Sequence, residues 1–542
     1  MYLSSKPENT YISVMILLPT KSMTRRPAPL WTIRTGILAL IMGFPVFAAG
    51  APLTPADGIN WTAVHDITLR GIDRFYRLDN DAALRHFDSV AVMAPGDPRG
   101  HFFRSMVHFS LYALDRDRRY FELFMKESDR VVDVCERLLD KDEHDANAKF
   151  YLGGIYGYRG MAWQTEGSLV KSVKEGREGY GLLEEAVEAR PDLYDAQMGF
   201  GLFRYLVAKA PRSLHWMLKL MGITPDLDGG LRMLKAASER GTYTRNEAQL
   251  YLAQFLFNEQ RQDEAFVQLD QLVARYPENT LFLILRASWL QRTGKPEEAL
   301  ADALKAVERN KAHPLRYVED LACNTLGSLY FARNEFGTAR TYYARYIDSL
   351  KGPERVWNWT WYRIGASHEL SGDRAGAKTF YARVRKSSDP MRPMDAYYYR
   401  RAQEQIGRPI APPEASLLRA ANDANSKSHE RALGLYQSAL DSCHGDVELS
   451  GRALLGIMQM QYELKRYQDV VATSGRLFRL SPERELWVLP HGYHKLGQAH
   501  ARLGRPAEAR KAFDMVDEFD DYDFQDQLES RVAGDLKDLP PH

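Results

Sequence analysis

The sequence predicts an all-α protein, a solenoid in which about ten helical hairpins form a superhelical stack. Three observations support this fold class. Beyond residue 60 the chain shows almost no alternating, strand-like runs and instead contains helical segments separated by short turns. Small residues recur at nearly regular intervals, as the close packing of paired helices requires. The 542-residue chain, with 45% hydrophobic and 26% charged residues, is long enough for such an array and apolar enough to fold.

The repeat is most regular in the second half of the chain. Ala265 and Ala299 lie 34 residues apart in similar surroundings, and further small residues follow at steps of 38 to 55 residues. A Gly or Ala stands 12 positions before several of them. A small residue on each of two helices lets their backbones approach, so this pairing predicts helical hairpins. The recurring residues are Ala265, Ala299, Ala339, Ala377, Ala432, Val470 and Ala509, and the upstream ones are Ala253, Ala287, Gly327, Gly365 and Gly497.

Around these positions the sequence resembles the tetratricopeptide repeat (TPR) family. The matching residues are Leu326 and Gly327 with Tyr330, Trp361 with Ile364 and Gly365, Leu496 and Gly497 with Gly504, and Pro277 and Pro482 after second helices. The resemblance covers most of residues 62–519 and extends to uncharacterised exported bacterial proteins of this kind. It implies a TPR-type α-solenoid that binds other macromolecules rather than catalysing a reaction.

We divide the chain into four regions by their regularity. Residues 1–51 form a signal peptide with an upstream extension, residues 52–245 irregular units with insertions, residues 246–415 the regular array, and residues 416–542 the last units with an acidic capping helix. In the irregular region the paired glycines are 26 and 29 residues apart, which places insertions at about 158–175 and 207–226. Insertions of this kind project from one face of a solenoid. We interpret the glycine-rich segment from Gly176 to Gly181 as a turn.

The N-terminal region has the layout of an export signal. Residues 24–34 contain three arginines and no acid, and the apolar run from Thr35 to Ala51 follows directly. At 17 residues, with Pro45 inside it, this run is short for a transmembrane helix of about 20 residues. Cleavage near Ala48 to Gly50 is therefore favoured over an uncleaved anchor, and we expect a periplasmic or cell-envelope protein. Met23 stands immediately before the basic stretch, so we interpret residues 1–22 as an upstream extension that results from a misassigned start codon.

The inner groove of a TPR stack is lined by the first helix of each hairpin, which gives nine candidate protein-binding residues. They are Leu250, Gln254, Phe257, Asn324, Ser328, Phe331, Trp359, Tyr362 and Glu369. Aromatic anchors are typical of protein and peptide interfaces, although helix packing is the alternative explanation at each position. Trp361 occupies a packing position of the repeat and should be structural. The Lys and Asn residues with which chaperone-binding members of the family hold a C-terminal carboxylate are missing from their places in the motif.

Other functions receive little support from the sequence. The 72 basic and 71 acidic residues nearly balance, which argues against a nucleic-acid partner. We find no catalytic signature and predict no enzyme activity, cofactor or metal; His491 and His494 are assigned to helix packing. The acidic segment 517–529 is predicted to be a solvated capping helix.

The predicted function is a non-enzymatic scaffold or adaptor in the cell envelope that captures a protein or peptide in the groove. The alternative is a peripheral membrane or cell-wall-associated assembly factor. The predicted contact residues of the second insertion are Leu214, Trp216 and Leu218. We expect their apolar side to face the solenoid itself or a partner in preference to lipid, which is the contact that the membrane alternative requires. The sequence leaves the oligomeric state open.

Overall fold

The computed structural model describes residues 58–209, 225–312, 314–350, 356–386 and 393–540. These residues form 24 α-helices and one short 3-10 helix, without strands. The predicted all-α class is therefore confirmed. The chain divides into two compact units, which we call the N-terminal unit (described residues up to Arg286) and the C-terminal unit (from Ala287).

The N-terminal unit contains ten complete helices. They are α1 (Trp61–Tyr76), α2 (Asn80–Met93), α3 (Arg99–Asp115), α4 (Arg118–Leu139), α5 (Ala146–Thr165), α6 (Leu169–Ala189), α7 (Tyr194–Ala208), α8 (Leu227–Arg240), α9 (Arg245–Asn258) and α10 (Gln262–Arg275). The boundary between the units lies within α11 (Thr280–Arg292).

The C-terminal unit continues the series of helices. They are α12 (Pro296–Asn310), α13 (Arg316–Ala332), α14 (Phe336–Ser349), α15 (Asn358–Leu370), α16 (Arg374–Tyr381), α17 (Pro393–Gly407), α18 (Pro412–Asn425), α19 (His429–Asp441), α20 (Val447–Glu463), α21 (Tyr467–Leu477), α22 (Val488–Arg502), α23 (Pro506–Asp514) and α24 (Gln525–Lys537). A 3-10 helix (Met515–Glu518) stands between α23 and α24.

Capping residues explain where several helices begin. Asp145 accepts hydrogen bonds from the backbone N–H groups of Asn147 and Ala148, and Asp446 accepts one from Leu449. Such caps satisfy backbone donors that have no partner inside the helix. Within the hairpins the chain reverses through one left-handed residue, for example Asn334 (φ 63°) between α13 and α14 or Gly504 (φ 70°) between α22 and α23.

The recurring small residues hold the hairpins together, as predicted. All seven recurring residues, from Ala265 to Ala509, are fully buried. Their glycine partners make room for an aromatic ring. A Cβ on Gly327 would lie 2.5 Å from the ring of Tyr343, and one on Gly365 would lie 2.6 Å from Tyr381. Each ring thus fills the space that a larger residue would occupy, and the two helices pack closely.

The first insertion lengthens a hairpin instead of projecting from it. Helix α5 extends to Thr165 and α6 begins at Leu169, so residues 158–175 belong almost entirely to these two helices. The predicted turn from Gly176 to Gly181 is wrong, because these residues lie inside α6. A Cβ on Gly179 would lie 2.7 Å from the carbonyl oxygen of Gly153. The glycines therefore permit close helix contact along the elongated pair.

The remaining regional predictions have different outcomes. Residues 1–57, with the export signal, and residues 210–224, with Leu214, Trp216 and Leu218, lie outside the described residues. The acidic capping helix starts only at Gln525, and its Leu528 and Val532 are buried against the last hairpin. Among the helices that the structure describes, none is long and apolar enough to cross a membrane.

Candidate binding surface

The first helices of the N-terminal unit face one another, and their side chains fill the space between them. Tyr76 of α1 stacks on Tyr276 with ring centroids 5.2 Å apart, and its carbonyl oxygen accepts a hydrogen bond from Asn279 Nδ2 at 2.9 Å. The Tyr158 hydroxyl of α5 donates to Glu247 Oε1 of α9 at 2.6 Å. The beginning and the end of this unit are therefore in contact.

This closure buries three of the predicted groove residues. Leu250, Gln254 and Phe257 are at most 6% exposed. Gln254 Nε2 donates to Asn258 Oδ1 at 2.9 Å, and Phe257 packs edge-on against Phe266. These three residues therefore lie in the interior of the N-terminal unit. The prediction counted positions within the TPR motif and assumed that the first helices leave one surface open. In this unit those positions are covered.

The predicted residues of the C-terminal unit have mixed surroundings. Asn324 and Ser328 of α13 are half-buried, and the Ser328 hydroxyl lies 3.4 Å from that of Tyr343. Glu369 accepts hydrogen bonds from Arg374 Nη1 at 2.9 Å, from the Tyr381 hydroxyl at 3.0 Å and from the backbone N–H of Ile410 at 3.0 Å. Its carboxylate thus links three segments of the protein. These internal contacts explain the presence of Glu369 without a binding partner.

Phe331 and Tyr362 come together in a pocket, which we call the arginine–tyrosine pocket. Side chains of five helices, α13, α15, α17, α18 and α20, line it. Its lining residues are Phe331, Tyr362, Arg363, Tyr397, Tyr398, Arg401, Gln405, Ile410, Glu414, Leu418, Ala421, Asn422, Asn425 and Arg452. Trp359 adjoins the pocket through Arg363, which lies 4.8 Å from the centre of the Trp359 ring.

Three tyrosines form the aromatic wall of the pocket. The rings of Tyr362 and Tyr398 are 5.3 Å apart, and those of Tyr398 and Tyr397 are 5.4 Å apart. Burial raises the pKa of Tyr362 and of Tyr398 above the usual value, so both hydroxyl groups stay neutral at physiological pH. The wall therefore offers ring surface together with hydroxyl groups that can donate or accept.

Most charges that line the pocket are compensated by neighbours. Arg401 is 7% exposed and pairs with Glu485, and its Nη1 lies 3.1 Å from Glu404 Oε2. Arg452 lies 3.6 Å from Glu485, and Glu414 pairs with Arg408. Burial opposes ionisation of Glu485, but Arg452 and Arg401 outweigh it and lower the pKa of this carboxyl group.

Arg363 and Gln405 differ from these compensated groups. Arg363 stacks between Trp359 and Phe331, 4.8 and 5.5 Å from their ring centres, and makes no ion pair with any described residue. Gln405 is 2% exposed, and its Oε1 has no hydrogen-bond partner in the described part of the chain. Sequence reasoning missed Tyr397, Arg401 and Gln405, although their spacing of four residues places them on one face of α17.

Two structural predictions can be checked outside the pocket. Trp361 is 3% exposed and stacks on Phe380, so its structural role is confirmed. His494 is buried and lies 2.8 Å from Asp535 of α24. Within the described ranges no group of three His, Cys, Asp or Glu side chains is arranged to hold a metal ion.

Sequence comparison identifies the repeat type. Residues 247–279, which contain all of α10 and all but the first two residues of α9, match the family model of the tetratricopeptide repeat. The chain therefore contains a tetratricopeptide repeat. Its hairpins pair small residues as the TPR motif requires, both inside the matched segment (Ala253 and Ala265) and in later hairpins such as Gly327 and Ala339. No curated protein shows a significant sequence match to this chain.

Several solved structures resemble this chain at low identity. A human IFIT1 dimer with PPP-AAAA is 14% identical with a TM-score of 0.36, over 84% of this chain and 94% of that chain. Yeast Tom70 is 13% identical with a TM-score of 0.28, over 83% and 99% of the two chains. NprR in complex with its cognate peptide NprX is 13% identical with a TM-score of 0.24, over 54% and 86%. Similarity of this degree assigns no ligand to this chain.

Proposed function

We propose that this TPR protein is a non-enzymatic scaffold that captures a protein partner through an extended segment bound at the arginine–tyrosine pocket. TPR arrays generally supply binding surfaces rather than reactive groups. The observation that carries the proposal is the contrast between the units. The first-helix side chains of the N-terminal unit pack inside that unit, whereas Tyr362, Tyr398 and Arg363 are only half-buried and line a pocket.

The composition of the pocket suits protein recognition. Tyrosine and arginine are enriched in the side chains that dominate protein interfaces, because they combine large apolar area with directed hydrogen bonds. The rings of Tyr362 and Tyr398 are held by neighbouring rings, so little side-chain entropy is lost when a partner packs on them. An extended segment fits best, since five helices contribute to one continuous lining.

We further propose that the scaffold acts in the periplasm or cell envelope. This part of the proposal rests on the sequence of residues 24–51, where arginines precede a short apolar run that ends in small residues.

The test is capture of partners from an envelope extract by the mature chain and by the double variant Trp359→Ala with Tyr362→Ala. We expect the double variant to lose affinity for its main partner by about 2 kcal/mol, which is roughly 30-fold. Tyr342→Ala is the matched control, because Tyr342 is a half-buried tyrosine on a second helix of the same unit, stacked on Tyr330.

Circular dichroism separates binding from folding in this experiment. Helicity and melting temperature should change little in the double variant, since both side chains are partly exposed. Equal capture by the parent and by the double variant would show that the pocket is not the binding surface. A collapse of helicity would assign Trp359 and Tyr362 to the core instead.

A further inference from the structure

The charge balance of the arginine–tyrosine pocket points to the chemistry of its ligand. Three arginines and one glutamate line it. Arg401 and Arg452 share Glu485, and Glu414 is paired with Arg408. Glu404 also pairs with Arg401, so Glu404 and Glu485 together balance Arg401 and Arg452. Arg363 has no carboxylate partner among the described residues, which leaves one uncompensated positive charge in the lining. A ligand that supplies a negative charge would complete the pocket.

The surroundings of Arg363 fix its orientation. Its guanidinium carbon lies over two rings, 4.8 Å from the centre of Trp359 and 5.5 Å from that of Phe331. A guanidinium group that contacts rings through its face keeps the N–H groups at its edge available for hydrogen bonds. Arg363 also interacts with the buried Tyr343 hydroxyl. Burial raises the pKa of Tyr343, and Arg363 partly opposes this increase. A neutral phenol does not balance the charge, whereas a carboxylate fits the planar donor edge with two hydrogen bonds.

Gln405 supplies an independent indication of a peptide. Its Oε1 is buried in the pocket lining without a hydrogen-bond donor, and an unsatisfied buried carbonyl costs about 1–3 kcal/mol. A carboxylate cannot donate to this oxygen at neutral pH, but a backbone N–H can. Tyr362, Tyr398 and Leu418 offer apolar surface beside these polar groups. The pocket therefore combines one cation, one acceptor and one aromatic wall.

We infer that the arginine–tyrosine pocket recognises an internal Asp or Glu side chain of an extended peptide, with Arg363 pairing its carboxylate, Gln405 accepting a backbone N–H and the tyrosines packing a neighbouring apolar residue. This inference rests on the proposed function and names the ligand class of the same pocket. Arg363 sets the specificity, and Arg401 holds the wall in place through Glu485 and Tyr397.

The experiment selects random peptides displayed on phage with the full chain as bait, in parallel with Arg363→Gln. The best peptide is then synthesised with an amidated C-terminus, and its binding is measured by fluorescence anisotropy. We expect enrichment of one acidic position beside an aromatic or aliphatic one. Arg363→Gln, and replacement of the acidic peptide residue by its amide, should each weaken binding roughly tenfold or more. The double change should cost little more than either single change.

Arg383→Gln is the matched control. Arg383 also stacks on two rings, 4.9 Å from Trp361 and 5.4 Å from Phe380, but it does not line the pocket. Its replacement should leave peptide affinity within about twofold of the parent.

The alternative outcomes distinguish the inference from the proposed function. Selected peptides that are neutral, or that bind Arg363→Gln equally well, would overturn the inference and leave the scaffold intact. A strict need for a free C-terminal carboxylate would also overturn it. Failure to select any peptide, with tight binding of single-stranded RNA that Arg363→Gln abolishes, would contradict both.

Discussion

Replacing Glu247 by glutamine should stabilise the N-terminal unit at neutral pH, although it removes a charged residue. Glu247 is fully buried in α9, its Oε1 accepts a hydrogen bond from Tyr158, and its Oε2 has no partner among the described residues. Burial raises the pKa of Glu247 well above its usual value, and the Tyr158 hydrogen bond only partly opposes this. The folded unit therefore favours the protonated, neutral carboxyl group.

The direction of the pH dependence follows from this shift. A group whose pKa is higher in the folded than in the unfolded state contributes its stability at pH values below the unfolded pKa, here 4.5, and that contribution is lost as the pH rises toward the folded pKa. In this window the free energy of unfolding should fall by about 1.4 kcal/mol per pH unit. Glutamine has no such titration, so Glu247→Gln should gain about 2 kcal/mol over the parent near pH 7 and little near pH 4.5.

Hydrogen exchange of the α9 amides is the appropriate assay, because a chain with two units does not unfold in a single step. Protection of residues 245–258 in the parent and in Glu247→Gln is compared at pH 5 and at pH 7.5, after correction for intrinsic exchange rates. Glu264→Gln is the control: its exposed pair with Arg261 spans 2.6 Å and should contribute less than about 1 kcal/mol at either pH. Lower protection of Glu247→Gln at pH 7.5 would show that the buried carboxylate is charged and satisfied, which would refute the reasoning.

Three further predictions concern helix contact, export and the second insertion. Gly179→Ala should lower the local free energy of unfolding, measured by hydrogen exchange of the α6 amides, by about 1–3 kcal/mol, because its Cβ meets backbone of α5. Gly181→Ala, whose Cβ meets nothing within 4 Å, should raise it by about 0.5–1 kcal/mol. Fractionation and N-terminal mass spectrometry should find a mature exported chain that begins near Ala49 to Pro52; a cytosolic chain that retains Met1 would contradict this. Deletion of residues 211–221 should leave liposome co-sedimentation unchanged, and loss of vesicle binding with intact partner capture would favour the membrane alternative.

The hairpins could be predicted from the sequence because their packing is local. Ala265, Ala299 and the later small residues repeat at the spacing of one hairpin, and each contacts a helix that is adjacent in the chain. The same logic identified Trp361 as structural. Periodicity carries information about neighbours within one repeat, and this part of the fold depends on nothing else.

The surfaces could not be predicted as reliably, because they depend on contacts that are distant in sequence. Motif positions gave the direction of Leu250 and Phe257 relative to their own hairpin, but did not predict that both side chains are buried inside the N-terminal unit. The glycines from Gly176 to Gly181 suggested a turn, and only the neighbouring helix shows why glycine is needed there. Gln405 lies in a hairpin to which we assigned no motif positions, so only the structure shows that it lines the pocket.

The contact between the two ends of the N-terminal unit also constrains how this unit is made. The hydrogen bond from Asn279 to Tyr76 joins residues 203 positions apart. Most repeat arrays can form one repeat at a time during synthesis, since each repeat needs only its neighbour. Here the ring of Tyr76 stays uncovered until residues 276–282 leave the ribosome, and the last step must close a very long loop. Loss or gain of a single hairpin would leave these ends unable to meet, so this half of the chain should vary in evolution by substitution and not by change of repeat number.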